Sequence, residues 1–248
     1  MKIVIIGSGN MATHLSLALK TAGEEIIQVF SRTDAHAKEL ADKLGCIHTT
    51  NLDKIYLNAD VYILSVKDDA ISQIADSICH KCPHALFVHT AGSVLMDIFK
   101  GKANHYGVLY PMQTFSKARK VYFLPIPCFI EASSKEDLAI IRSLAESISD
   151  HVVDCDSEKR KKLHLAAVFA CNLTNHCYRL AERVLQEEEI DWKLYLPLID
   201  ETAKKVSEMS PKDAQTGPMV RYDVSVMNRQ LALIPDERTR QIYRLMAE

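Results

Sequence analysis

Short apolar runs alternate with segments of helical spacing along the first part of the chain. Ile3-Val4-Ile5-Ile6 reads as a buried strand, followed by the turn Gly7-Ser8-Gly9-Asn10-Met11-Ala12, an amphipathic helix, and a second strand ending Gln28-Val29-Phe30-Ser31-Arg32. Asp34 to Leu44 places Ala37, Leu40, Ala41 and Leu44 on one helical face, stops at Gly45, and leads to a short strand near Cys46 to His48. Ala59 to Val66 is a buried-strand run followed by a helix from about Ala70 to Cys79, and Leu86-Phe87-Val88-His89 is the next strand. Tyr106 to Leu109 and Pro127 to Glu131 are candidate strands flanking the loop Tyr110-Pro111-Met112-Gln113-Thr114-Phe115. Ser134 to Ser149 is helical with Ser133 or Ser134 as cap, and Val152-Val153-Asp154 is a last short strand. From Ser157 the strand pattern stops. A helix of roughly 30 residues, a second from Trp192 to Met209 and two shorter ones complete the chain. The pattern predicts an α/β domain over residues 1–155, with a mostly parallel, doubly wound sheet, followed by an all-α domain over 156–248.

The turn after the first strand carries the chemistry. A Gly-x-Gly-x-x-Ala that follows a strand, opens a helix and precedes a second strand is the Rossmann arrangement for a dinucleotide. Gly7 and Gly9 let backbone approach the pyrophosphate, Ala12 permits close helix–strand packing, and the helix N-terminus offers N–H groups to the anion. An NAD site would end the second strand in Asp or Glu; Ser31-Arg32-Thr33 suits a 2′-phosphate, so NADP is expected over NAD. Asp34 is read as the cap of the next helix. Ser65-Val66-Lys67 and Thr90-Ala91-Gly92-Ser93, at the ends of the fourth and fifth strands, should meet the cofactor at the topological switch point.

Projecting residues 158 to 188 at about 100° per residue gathers Lys161, His164, Asn172, Asn175, His176 and Arg179 on one face. Ala166, Ala170, Leu173, Cys177, Ala181 and Val184 fall opposite. The plain alternative is a solvated face, but Asn and His stand where an exposed helix usually carries Glu and Lys. A stripe facing a nicotinamide cleft would use these groups, with Lys161 or His164 to protonate a carbonyl oxygen as hydride arrives.

Composition narrows the partners. The 248 residues are 48% hydrophobic with net charge −2 and scattered Lys and Arg, which argues against a nucleic-acid surface and against attraction to an anionic membrane. The first apolar run is too short for a signal-peptide core or a spanning helix, so a cytoplasmic protein is expected. Seven cysteines (46, 79, 82, 128, 155, 171 and 177) show no disulfide-framework spacing and are read as free thiols. Cys79-His80-Lys81-Cys82-Pro83-His84 has metal-like spacing without a second pair elsewhere, and is read as a helix end and loop with no metal. His14, His36, His48, His80, His84 and His151, with Tyr106 and Trp192, are read as packing or surface residues.

The chain resembles the Rossmann-like NADP oxidoreductases that carry a helical C-terminal domain of unassigned function, relatives of pyrroline-5-carboxylate reductase, 6-phosphogluconate dehydrogenase and the 3-hydroxyacid dehydrogenases. The resemblance rests on residues 7–12, Ser31-Arg32, Ser65-Val66-Lys67-Asp68, His89-Thr90-Ala91-Gly92-Ser93, residues 110–115, 161–172 and Thr216 to Asp223. It implies that Gly7, Ser8, Gly9, Asn10 and Met11 line the pyrophosphate. Ser31, Arg32 and Thr33 would hold the 2′-phosphate, and Ser65, Val66, Lys67, Thr90, Ala91 and Gly92 would flank the nicotinamide. His164, Lys161, Asn172 and His89 are the implied catalytic candidates, and Tyr110, Pro111, Gln113, Asn175 and Arg221 the implied substrate side. His164 stands where the hydroxyacid dehydrogenases place a Lys, at a different spacing to its Asn, and Tyr110 stands where relatives often show a His before Pro. Gly217-Pro218 is read as opening the third C-terminal helix, with Arg221 and Asp223 either an anion site or a surface ion pair. The resemblance implies hydride transfer between NADP(H) and a carbonyl, imine or hydroxyl carbon of a small polar metabolite, in a homodimer joined through the C-terminal helices. The alternatives are a dinucleotide-binding sensor or scaffold without chemistry, and a reductase using a deazaflavin in place of or beside NADP.

Overall fold

The computed structural model describes residues 1–186 and 188–247. Its eight strands are β1 (Lys2–Ile6), β2 (Glu25–Phe30), β3 (Ile47–Thr49), β4 (Val61–Leu64), β5 (Leu86–His89), β6 (His105–Pro111), β7 (Cys128–Ala132) and β8 (Val152–Asp154), in the sheet order β3-β2-β1-β4-β5-β6-β7-β8. β1 to β6 are parallel, β7 runs antiparallel to β6, and β8 is parallel to β7. The expected α/β fold with its mostly parallel, doubly wound sheet is therefore present. The order reverses between β1 and β4, which places the switch point at the ends of these strands.

Helices α1 (Asn10–Thr21), α2 (Asp34–Leu44), α3 (Asp68–Ile78) and α4 (Lys135–Glu146) pack on the sheet. Side chains alternate along each strand, so Ile3 and Ile5 join one apolar core with Leu15, Leu40 and Ile141, while Val4 and Ile6 join the other with Ile71, Ile74 and Phe99. Ser134 caps α4 by accepting from the Asp137 amide at 3.0 Å, and Gly45 ends α2 with φ of 66°. Asp34 is not a cap: Thr33 holds that position, and Asp34 is the first helical residue, 3.3 Å from His48. Tyr110 and Pro111 belong to β6 and not to a loop, because β7 extends the pairing as far as Pro111 opposite Cys128.

The expected long helix is three segments: α5 (Ser157–Ala167), a π-helical stretch Val168–Leu173, and α6 (Thr174–Gln186). A single 3.6-residue period does not carry through a π segment, so the projected polar stripe is not one line. The compact units divide between Phe169 and Ala170, whereas the expected boundary was 155/156. The physical reason is Arg160, whose side chain is wholly buried. Its guanidinium donates to Glu131 at 2.5 Å, to the Val94 carbonyl at 2.6 Å and to the Ser157 hydroxyl at 3.0 Å. Ser157 in turn donates to Glu131 at 2.7 Å and accepts from the Met96 amide at 2.9 Å. These bonds tie α5 to β7 and to the segment after β5.

The second unit contains α6, a short 3₁₀ turn Trp192–Tyr195, α7 (Leu196–Glu208), α8 (Pro211–Ala214), α9 (Val224–Ala232) and α10 (Glu237–Ala247). Among the described residues three helices, not two, follow α7. Gly217-Pro218 lies in a turn and does not open a helix; Asp223 does, capping α9 by accepting from the Val226 amide at 3.2 Å. Among the described residues of this unit the buried apolar side chains are Leu185, Ile234 and Ala247, while Leu194, Leu198, Leu233 and Leu245 are largely exposed.

His89 ends β5 fully buried, its ring 5.8 Å from that of Phe99 and its Nδ1 accepting from the Ala91 amide at 3.2 Å. Burial, reinforced by the charge of Arg160, pushes its pKa down to about 3.

Two stability measurements test these anchors. Arg160→Ala leaves Glu131 without its ionic partner and should cost about 3–5 kcal/mol in urea unfolding; a loss under about 1 kcal/mol would contradict the anchoring role. For His89 the folded pKa lies below the unfolded value of about 6.5, so the unfolded chain holds the extra proton between the two. Stability from the neutral ring is complete above about pH 6.5 and falls on acidification by up to about 1.4 kcal/mol per pH unit. His89→Phe should flatten the stability profile between about pH 7 and pH 5 by this slope, and parallel profiles would refute the assignment.

Candidate active site

The two glycines of the first turn have separate tasks. Gly7 adopts φ of +123°, and a Cβ there would lie 2.0 Å from the Ser65 carbonyl oxygen, so β4 itself demands glycine. Gly9 caps α1 and faces open space, with no atom within 4 Å of where a Cβ would stand. No side chain caps α1, and its first turn carries no acidic residue, so its N-terminal dipole is left for an anion. Ala12 is buried in the β1 core cluster, as close helix–strand packing requires. These features fit a dinucleotide pyrophosphate.

Around this turn opens a cavity of about 1100 Å³. Its walls include residues 7–11, 30–33, His36, residues 65–70, Gln73, Ile74, residues 90–92, Tyr110, Gln113, Phe115, Lys117 and His164. Every residue that the sequence assigned to cofactor binding lies on this surface: Gly7, Ser8, Gly9, Asn10, Met11, Ser31, Arg32, Thr33, Ser65, Val66, Lys67, Thr90, Ala91 and Gly92. Ser8 donates to the Ser31 hydroxyl at 2.7 Å, joining the glycine turn to the end of β2, and Thr90 donates to the Ser65 hydroxyl at 3.1 Å, joining β5 to β4.

Tyr110 and His164, also on the cavity wall, form a hydrogen-bonded pair. His164 lies on α5, one turn beyond the buried Arg160, and its ring covers Gly92 so closely that a Cβ there would be 2.6 Å from Nδ1. The Tyr110 hydroxyl is 3.0 Å from His164 Nδ1, with the rings edge to face. Burial raises the Tyr110 pKa, partly opposed by the charge of Arg160, so the phenol keeps its proton. It can donate to an unprotonated Nδ1 or accept from Nδ1–H, so the bond holds the ring in either tautomer and leaves Nε2 for the cavity.

The remaining predicted residues lie elsewhere. Lys161 bonds Glu158 at 2.8 Å in a surface pair and does not line the cavity. His89 is buried beneath the sheet end and does not line it either. Pro111 is buried within β6, while Gln113 is on the cavity wall. Asn172, Asn175 and Arg221 are exposed residues of the second unit. Cys79 and Cys82 are buried in a core cluster, where burial raises the Cys79 thiol to about 12.

His36, Phe115 and Lys117 line the cavity but were not singled out by sequence. His36 had a signal, being in the first turn of α2 just after Ser31-Arg32-Thr33; Lys117 had none, since only tertiary docking brings it there.

Residues 2–92 match the family described as NADP oxidoreductase, coenzyme F420-dependent, and residues 126–248 match a domain of unknown function, DUF2520. No curated protein matches the chain in sequence. A crystal structure from Bacteroides fragilis, provisionally named an NADP oxidoreductase, shares 49% identity over 99% of this chain and 96% of its own, with a TM-score of 0.96. The fold is shared with an imine reductase from Myxococcus stipitatus in complex with NADP⁺, at 19% identity over 100% of this chain and 90% of that one, with a TM-score of 0.69. It is also shared with a pyrroline-5-carboxylate reductase from Coxiella burnetii, at 19% identity over 98% and 89%, with a TM-score of 0.61. With a likeness that runs from the glycine turn through the last helix, the chain belongs to the family of Rossmann-type NADP oxidoreductases whose nucleotide domain is followed by the DUF2520 domain.

Proposed function

We propose that the protein is an NADP(H)-dependent oxidoreductase acting on a C=O or C=N bond of a small polar metabolite, with His164 as proton donor and Tyr110 as the residue that orients it. The observation that carries this reading is the Tyr110–His164 bond at 3.0 Å, on the wall of the same cavity as the glycine turn. The names of the imine and pyrroline-5-carboxylate reductases that share the fold support C=N as well as C=O substrates.

The uncapped N-terminus of α1 and the turn at Gly9 would receive the pyrophosphate, Ser31, Arg32 and Thr33 the 2′-phosphate, and Ser65, Thr90 and Gly92 the nicotinamide end. When bound, the reduced nicotinamide supplies hydride to the substrate carbon. The charged His164 ring gives its Nε2 proton to the oxygen or nitrogen of that bond and is left neutral, its Nδ1–H donating to the Tyr110 oxygen. The reverse reaction uses neutral His164 as base. Gln113 is the candidate substrate contact from the segment after β6. A non-catalytic sensor would have no use for this pair.

The second unit supports a homodimer in this reading. Its short list of buried apolar side chains contrasts with the exposed faces of Leu194, Leu198, Leu233 and Leu245, which a second copy would cover.

NADPH should bind more tightly than NADH in fluorescence titration, and a panel of small ketones, keto acids and cyclic imines should include one that consumes NADPH. With that substrate His164→Asn should lower kcat by roughly 10²–10⁴-fold while NADPH binding changes little. Tyr110→Phe, which frees the ring but keeps it, should cost roughly tenfold. Unaltered turnover in His164→Asn would remove His164 from the chemistry. Sedimentation equilibrium should give the mass of two chains, and Leu198→Glu with Leu245→Glu should shift it toward one; a monomeric wild type would refute the dimer.

A further inference from the structure

Part of the cavity wall comes from the segment between β6 and β7. Three successive residues of it are fastened to α1. The Asn10 side chain donates through Nδ2 to the Phe115 carbonyl at 2.9 Å, and its Oδ1 accepts from the Lys117 amide at 3.3 Å. His14, one turn further along α1, donates through Nε2 to the Ser116 carbonyl at 2.9 Å and stacks on the Phe115 ring at 5.3 Å. Phe115 also stacks on Phe123 at 5.9 Å, within the loop. Asn10 thus bonds both a carbonyl and an amide of this backbone segment.

The fastening decides where Lys117 goes. Its ammonium reaches α2, 3.4 Å from Glu39, and Lys117 lines the same cavity as Arg32, Thr33 and His36. Glu39 already has a closer partner in Lys43, at 2.8 Å, so Lys117 can leave it without stranding a carboxylate. Arg32, Lys117, His36, Ser31 and Thr33 all line this cavity, and His36 lies about one turn of α2 before the Glu39 that Lys117 reaches.

We propose that Lys117 is a second cationic ligand for the 2′-phosphate of NADP(H), brought across from the β6–β7 segment and positioned by Asn10 and His14. This rests on the reading of the cavity as an NADP(H) site. A dianionic phosphomonoester matches two converging cations better than one, and the charge-assisted bond is lost for a 2′-hydroxyl. Lys117 is then a determinant of cofactor choice, and His14 is a positioning residue that does not itself line the cavity.

The test is fluorescence titration of the full-length protein with NADPH and NADH, and competition by adenosine 2′,5′-bisphosphate, adenosine 5′-phosphate and inorganic phosphate. Lys117→Ala should weaken NADPH and the bisphosphate about tenfold and NADH less than twofold, with Lys117→Arg retaining the wild-type preference. His14→Ala should reproduce a smaller, several-fold version of the same selective loss. An unchanged NADPH preference in Lys117→Ala overturns the proposal and leaves the cofactor reading standing, as does an equal loss for NADPH and NADH. Inorganic phosphate competing as well as the bisphosphate would reduce the surface to a general anion site and overturns it too. A wild type that binds neither nucleotide removes the cofactor reading and this inference together.

Discussion

A single buried cation organises this protein. The Arg160 guanidinium has no water to solvate it, and its position is over-determined by Glu131, the Val94 carbonyl and Ser157. Those partners come from β7, from the segment after β5, and from the first turn of α5 itself. Holding all three fixes both the rotation and the height of α5 over the sheet, and His164 lies on the same helical face one turn on. The charge also acts at a distance: it adds to burial in keeping His89 neutral, and opposes burial at Tyr110. One ion therefore helps to set the position of His164, the proposed proton donor, and the ionisation of two further side chains.

In the proposed reading the cavity has an anion end and a proton end, and different kinds of constraint hold each. At the anion end the requirements are absences: no Cβ at Gly9, no side-chain cap on α1, no carboxylate at the end of β2. At the proton end they are matched pairs. The His164 ring can occupy its place only because residue 92 has no Cβ, so Gly92 and His164 are required jointly. A Lys in place of His164 would bring a flexible chain with no fixed orientation, whereas the imidazole offers one nitrogen to Tyr110 and keeps the other for the cavity. The hydroxyl of Tyr110 can act as donor or acceptor, so the ring keeps its orientation through both charge states.

What the sequence disclosed follows the range of the interactions involved. The strands, the glycine turn, Gly45 and the Ser134 cap are local patterns, and they were legible because each depends on residues within a few positions. The ends of β4 and β5 could be assigned to the cofactor because parallel topology forces them to one edge. By contrast, Lys161 and His164 looked equivalent on a helical projection; only the burial of Arg160 selects which face of α5 meets the sheet. His89 looked like a functional tail on β5, yet the alternation of the strand turns it toward Phe99. The π segment was invisible because it breaks the periodicity on which the projection relied, and Lys117 because the contacts of Asn10 and His14 with its loop place it.

The helical unit shows the opposite economy. Its helices have caps at Asp191, Ser210 and Asp223 that fix where each begins, so local order is well specified. Caps each contribute about 1 kcal/mol and cannot by themselves offset the conformational entropy of ordering the segment. That requires burial, and the unit's Leu194, Leu198, Leu233 and Leu245 remain largely exposed. In the homodimer proposed above, a second copy would cover those faces, and the stability of this unit would be linked to assembly by mass action. The α/β unit instead carries an apolar cluster on each face of its sheet.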